Sequence, residues 1–285
     1  MLICKRANIA FVQIPKNGSK SVRQALLTSF GLDHGPVARD RNWTVEEFEA
    51  AYARDAVDYI PGVENNLDHL TLAVYRELLP QAYAAFRAAH SFALIREPRE
   101  RFLSALLQRL GQFQELNGLR VDDPVVGTEA RHVCEWLDGR GIFNDRTYIH
   151  FARQVDYVDL EGERLVDMIF PIERTDAAEA WIEGLTGERI AIAHEHARRE
   201  PKKLGKVLYP SLRRIGRSVI PPKMRDAVHP IWRNSPLFDN AAKRYAKIDL
   251  SPAVEQFIQH YYAADFALYR EARAQRGGAP AIRAG

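Results

Sequence analysis

The stretch that decides the fold is FVQIPKNGSKSVRQAL, Phe11 to Leu26. Ile9, Ala10, Phe11, Val12 and Ile14 form an apolar run closed by Pro15, which predicts a buried strand over Asn8–Ile14. Val22, Ala25, Leu26 and Phe30 then recur at helical spacing, and Gly31 supplies a stop, so a helix is expected over Ser21–Phe30. Between them lies the turn Pro15-Lys16-Asn17-Gly18. Backbone N–H groups at the start of a helix have no partner inside it and favour an anion. Lys16 would add a charge there, and Ser19 and Ser21 two hydroxyls. A plain strand–turn–helix with Ser19 or Ser21 as N-cap accounts for the same residues without a ligand.

The commonest phosphate loop needs a glycine, four residues, then Gly-Lys-Ser/Thr. In Gly18-Ser19-Lys20-Ser21 an extra residue separates glycine from lysine, and Gln13 or Ile14 stands where the first glycine belongs. The turn is not a Walker loop.

A second corner of the same kind follows in SFALIREPRERFLSALLQ, Ser91 to Gln108. A strand over Ser91–Arg96 ends at Glu97-Pro98, and Arg99–Leu110 is amphipathic and helical. Arg96 at the strand end and Ser104 one turn into the helix can converge on one anion, where ligands of open parallel sheets collect. Taken alone, Arg101 is an ordinary solvated helix charge and Ser104 a small packing residue. Asp167–Ile172 is a third strand, followed by a helix over Glu173–Leu185. Further helices are expected over Thr44–Arg54, Thr71–Leu79, Gln81–Ala89, Glu129–Leu137 and Pro252–Arg273, with a surface loop over 117–127. This alternation predicts an α/β fold, a central parallel sheet flanked by helices.

The chain has 285 residues, 46% of them hydrophobic and 27% charged, enough apolar material for a substantial core. A net charge of +3 gives no reason to expect a nucleic-acid partner. Cys4 and Cys134 stand far apart without metal-ligand spacing, which argues against a zinc site or disulfide scaffold and fits a reducing compartment. The opening MLICKRANIA has no apolar core long enough for a secretory signal. No stretch approaches the roughly 18–20 apolar residues that span a bilayer, so a cytoplasmic protein is expected. Positive charge concentrates in 196–225, where Glu200 is the only Asp or Glu before Arg225 and Leu204, Val207, Leu208, Leu212, Ile215 and Val219 are interleaved. A solvated insert, a groove for an acidic glycan and a peripheral contact with an anionic membrane all fit that pattern. The expected organisation is one domain over 1–275 carrying this insert, with a disordered tail at 276–285.

The two corners together resemble the sulfotransferase family. IPKNGSKS is similar to the family's 5′-phosphosulfate loop, commonly IPKTGGTS, and LIREPRERFLSAL is similar to its 3′-phosphate segment, of the form VRDPxxRxxSxY. Tyr148 to Gln154, YIHFARQ, resembles an H-x-x-P-Q element of the carbohydrate-type branch. Ile172-Glu173-Arg174 and Asp265-Phe266-Ala267-Leu268-Tyr269 resemble its later elements. Departures are Ser19 for the second glycine, Lys20 for a threonine, Leu106 for an aromatic residue and Ala152 for a proline.

The resemblance implies a P-loop NTPase-like sulfotransferase fold. It also implies 3′-phosphoadenosine 5′-phosphosulfate as donor, a hydroxyl acceptor of carbohydrate type, and no metal. On that footing Lys16 faces the bridging oxygen, and N–H groups from Asn17, Gly18, Ser19, Lys20 and Ser21, with the Ser21 hydroxyl, hold the 5′-phosphate. Arg96 and Ser104 bind the 3′-phosphate, with Arg101 a weaker candidate. A general base with a pKa near working pH points to histidine. His69, His90 and His150 are the candidates, and His69, in a segment resembling the family's H-L-T, is the expected base. His90 would lie at the far end of its strand, and His150 would be held by Gln154. A different nucleotide-dependent phosphotransferase, or a nucleotide-binding protein of this fold without transfer activity, are the alternatives.

Overall fold

The computed structural model describes residues 1–53, 67–113, 123–193, 199–201, 238–240 and 250–275. Its contacts divide into two units, one of Met1–Ala193 with Leu250–Gly285 and one of His194–Asp249.

The first unit is built on a four-stranded sheet. In chain order its strands are β1 (Leu2–Ile3), β2 (Ile9–Val12), β3 (His90–Ile95) and β6 (Met168–Pro171), adjacent in that same order. β2, β3 and β6 are parallel, with Val12 beside Ala93 and Ile95 beside Pro171. β1 runs antiparallel along the edge, Leu2 opposite Phe11. Expected as parallel, the sheet is therefore mixed by one short strand. A strand of two residues leaves too little periodicity to detect. A separate small hairpin joins β4 (Asp159–Leu160) to β5 (Glu163–Arg164).

Alternation along the strands sorts the core into two layers, as a sheet covered on both faces requires. Phe11, Phe92, Leu94 and Phe170 pack with Val22, Leu26 and Phe30 of α1 (Ser19–Phe30) and Trp181 and Ile182 of α8 (Thr175–Thr186). Ala10, Val12, Ala93, Ile95 and Ile169 face the other way. They pack with Leu72 and Tyr75 of α4 (Leu72–Leu78), Ala82 and Phe86 of α5 (Pro80–Ala88), and Leu268 of α10 (Ala263–Ala274). Also present are α2 (Gly35–Asp40), α3 (Val45–Ala53), α6 (Pro98–Phe113), α7 (Pro124–Leu137) and α9 (Pro252–Tyr261). α7 begins inside the expected 117–127 loop because Asp123 caps it, accepting from the Val125 N–H at 3.1 Å, with Pro124 at the first helical position.

In the second unit β7 (Arg199–Pro201) pairs antiparallel with β8 (Phe238–Asn240). Apart from β7, the basic stretch 196–225 lies outside the described residues, as does the tail 276–285. Among the described residues no helix is long and apolar enough to cross a membrane.

Candidate functional site

The loop after β2 turns tightly. Lys16 and Gly18 both have positive φ, 72° and 75°, and the Asn17 N–H closes the turn on the Ile14 carbonyl at 3.4 Å. Gly18 is the N-cap of α1 and no side chain caps the helix. Neither serine is therefore used as a cap. Ser19 Oγ donates to the Ile14 carbonyl at 3.2 Å, while the hydroxyl of the buried Ser21 makes no hydrogen bond to another described residue. The outward N–H groups of the first turn of α1 stand beside that hydroxyl. Of the five expected backbone donors, that of Asn17 is turned inward. Lys20 lies in the same turn with its side chain exposed.

The Asn17 side chain ties this loop to the second corner. Its Nδ2 donates to the Leu94 carbonyl and to Gln154 Oε1, each at 2.8 Å. Gln154 is fully buried and also takes both backbone groups of Arg96. Its Oε1 accepts from the Arg96 N–H at 3.0 Å and its Nε2 donates to the Arg96 carbonyl at 2.9 Å. Behind it, Asp265 of α10 accepts from the N–H groups of Gln154 and Val155 at 2.8 and 3.0 Å. Burial pushes that carboxyl up to about 6, against the pull of Arg101 and the two N–H groups. Tyr262 donates to the Phe151 carbonyl at 2.7 Å. Four segments distant in sequence are thus fastened at the carboxyl ends of β2 and β3.

Arg96 keeps its side chain at this junction, with Nε and Nη2 on Glu100 Oε2 at 3.3 and 3.2 Å. Ser104 is buried and its hydroxyl, like that of Ser21, makes no hydrogen bond to another described residue. Arg101 is not a solvated helix charge. It is 1% exposed and donates to the carbonyls of Pro15 at 3.0 Å and Ala152 at 2.8 Å, leaving Nη2 without a partner among the described residues. One of its donors braces the loop from inside and another holds the turn that ends at Ala152. Lys16 Nζ donates to Gln108 Oε1, one turn beyond Ser104 on α6.

The histidines are arranged differently from expectation. His69 sits on a 3-10 turn, Leu67–His69, whose last carbonyl accepts from the Tyr157 hydroxyl at 3.1 Å. His150 is not held by Gln154, whose amide is fully engaged elsewhere. It meets His69 edge-on instead, ring centroids 5.1 Å apart at 75°. Burial lowers His69 to about 4, with Asp68 opposing and Lys16 assisting. Burial lowers His150 to about 3, assisted by His69, Lys16 and Arg101. Both rings are neutral at pH 7 and both feel the Lys16 charge. His90 begins β3, at the opposite end of the sheet. Glu173 follows β6 and accepts from the Tyr269 hydroxyl at 3.4 Å, so the two later elements meet.

This arrangement offers two cationic corners side by side, two hydroxyls that bond no other described residue, outward N–H groups and a pair of neutral bases. It can bind two phosphates and accept a proton. Among the described residues no group of three His, Cys, Asp or Glu side chains is placed to hold a metal ion. A model of the sulfotransferase family matches residues 1–157, more than half of the chain, a span that contains both corners, both histidines and Gln154. No curated protein and no solved structure matches the chain.

Proposed function

The chain belongs to the sulfotransferase family and is a transferase, and from that premise we propose that it moves a sulfuryl group from 3′-phosphoadenosine 5′-phosphosulfate to a hydroxyl of a carbohydrate. The observation that carries this reading is the locked pair of strand–helix corners, with Asn17 and Gln154 joining Lys16 to Arg96. The residues present fit the donor. The Ser21 and Ser104 hydroxyls stand one at each corner without a partner among the described residues, which suits a ligand carrying two separate phosphates. The donor supplies an activated sulfuryl group on a phosphate leaving group.

The chain's own residues do the rest. Outward N–H groups at the start of α1 and the Ser21 hydroxyl hold the 5′-phosphate, while Arg96 and Ser104 hold the 3′-phosphate. Arg101 acts chiefly on the protein side, fixing the Pro15 carbonyl and with it the path of the loop. Lys16 neutralises charge that collects on the bridging oxygen as the sulfur–oxygen bond breaks, a preorganised charge in a partly dry site. Neutral His69 takes the proton of the acceptor hydroxyl as the new oxygen–sulfur bond forms. Holding both reactants in line supplies much of the remaining acceleration. The carbohydrate acceptor is supported by the resemblance of the Gln154, Glu173 and Asp265 elements to the carbohydrate-type branch.

Calorimetry with adenosine 3′,5′-bisphosphate beside ATP tests the donor. Micromolar binding of the first and none of the second is expected, and the reverse preference would overturn the reading in favour of a phosphotransferase. His69→Ala should bind the bisphosphate as wild type does and lose turnover. Wild-type rates in that variant would remove His69 as the base.

A further inference from the structure

The side chain in ring contact with the proposed base is His150. Its imidazole meets that of His69 edge-on, and neither ring hydrogen-bonds to another described residue. The turn that carries His150, Ile149–Phe151, is nevertheless fastened on both sides. Arg109 Nη1 donates to the Thr147 carbonyl at 2.9 Å, Tyr262 to the Phe151 carbonyl at 2.7 Å and Arg101 Nη1 to the Ala152 carbonyl at 2.8 Å. Just before the turn, the Tyr148 ring lies flat on that of Trp136, centroids 3.8 Å apart. The turn that carries His69 is held in its own way, by the Tyr157 hydroxyl on its last carbonyl. Two fixed backbones thus present two bare rings to each other. A rigid support under a side chain that bonds nothing else is the arrangement a reacting group needs.

A base that takes a proton here becomes a cation among cations. Lys16 and the Met1 amino group bear on His69, and Lys16 and Arg101 bear on His150. Asp68, the carboxylate that bears on His69, is engaged by Arg23 of α1 at 3.1 Å. With His69 lowered to about 4, only about one molecule in a thousand keeps a proton on that ring at pH 7. Each turnover must therefore pass the proton on, and the neutral ring of His150 is in reach. An N–H···N bond of about 2.9 Å between two imidazoles sets their centroids about 5 Å apart. The rings already stand 5.1 Å apart, so rotating them closes such a bond without moving either backbone.

We propose that His150 is the proton partner of His69, a positioning residue that receives, through a bond between the rings, the proton His69 takes from the acceptor. This role rests on the transferase reading above. The acceptor oxygen forms its bond to sulfur with its own electron pair. The donor's sulfur–oxygen bond breaks, and its pair stays on the bridging oxygen beside Lys16. The acceptor proton moves to a His69 nitrogen, then to a His150 nitrogen, and leaves from there to water. Both rings end neutral. Bound donor assists the uptake, because phosphates beside Lys16 offset the positive charge that disfavours a proton on either ring.

Imidazole NMR of the 15N-labelled full chain, titrated with acid in the presence and absence of adenosine 3′,5′-bisphosphate, tests the pairing without any need of turnover. Signals of His69 and His150 should move together as the first proton is taken up, as interacting sites do. Saturating bisphosphate should raise that step by about one pH unit. In single turnover with water as the acceptor, His150→Phe should release the bisphosphate from the donor about a hundredfold more slowly than wild type. Its affinity for the bisphosphate should stay within about twofold. Added imidazole should restore the rate of His150→Ala and leave His150→Phe, whose ring fills the place, unchanged. Separate steps for the two rings, or a wild-type rate in His150→Phe, overturns the pairing. A His150→Ala rate that imidazole does not raise overturns it too, and marks His150 as packing. Absence of bisphosphate binding by the wild type strikes the transferase reading instead, while the shared titration still decides whether the two rings form one site.

Discussion

Replacing Gln154 by leucine should damage the fold and the donor site together. Leucine is close to glutamine in size, so little cavity is left. What disappears is the set of hydrogen bonds to Asn17 Nδ2, the Arg96 N–H and the Arg96 carbonyl. Asn17 keeps its bond to the Leu94 carbonyl, whereas both backbone groups of Arg96 lose a partner in the interior. At about 1–3 kcal/mol for each orphan, offset in part by burying a more apolar side chain, the expected loss is about 3 kcal/mol. That is a large share of the 5–15 kcal/mol that holds a typical domain together. Urea unfolding should show the midpoint falling with an unchanged slope. Calorimetry with adenosine 3′,5′-bisphosphate should show affinity reduced by about tenfold or more, because Arg96 and Asn17 each lose a fixed orientation. A double-mutant cycle with Asn17→Ala should give a coupling of about 1 kcal/mol. A loss below about 0.5 kcal/mol, with donor affinity intact, would refute the idea that Gln154 unites the corners.

Other outcomes follow from the same geometry. His69 and His150, lowered to about 4 and about 3, stay neutral in the folded chain while unfolded histidine gains a proton near 6.5. Their contribution to stability is therefore complete above about pH 6.5 and is lost as pH falls toward 4 and 3, at up to about 1.4 kcal/mol per pH unit for each. Asp265, raised to about 6, titrates in the opposite sense, so the wild type should be compared with His69→Gln/His150→Gln across pH 4–7. The variant should lose stability less steeply with acid, and parallel curves would contradict the assignment. If His69 is the base, kcat/KM should hold its value well below pH 6 and fall toward pH 4, whereas an acid limb near 6.5 would point to a solvated group. Lys16→Gly should leave stability within about 0.5 kcal/mol, since glycine accepts the left-handed backbone there without strain. Its transfer rate should nonetheless fall by about a hundredfold or more, and retained turnover would remove Lys16 from the bridging oxygen.

The frame of the site was legible because local rules govern it. β2 and β3 declared themselves by short apolar runs with a proline within three residues of their end, and α1 and α6 by helical spacing afterwards. The edge strand β1 was not legible, having two residues and no pattern. The start of α7 carried a readable signal in Asp123-Pro124, an N-cap followed by proline, which the glycines and aspartates around it masked. Arg101 looked like any charged position on a helix surface. Only the packing of α6 against the loop shows it to be an internal brace, and helical periodicity contains no trace of that. Gln154 is similar: its bonds reach residues 58 and 137 positions away. The meeting of His69 and His150 likewise depends on two short turns being carried together by the sheet. Sequence could propose each imidazole singly and had no means of pairing them.

The carboxylate of Asp265 gives the proposed donor site a place in time. A chain made from its amino end has both phosphate corners in hand once α6 is complete, with Lys16, Arg96 and Ser104 all present. It does not yet have the group that holds the Gln154 and Val155 amides, which arrives more than a hundred residues later in the first turn of the last described helix. Contacts between such distant segments form late because long loops must close first. The proposed grip on the nucleotide is thus assembled at the end of folding, and on that reading capacity to bind the donor becomes a report that the carboxyl-terminal helices have docked.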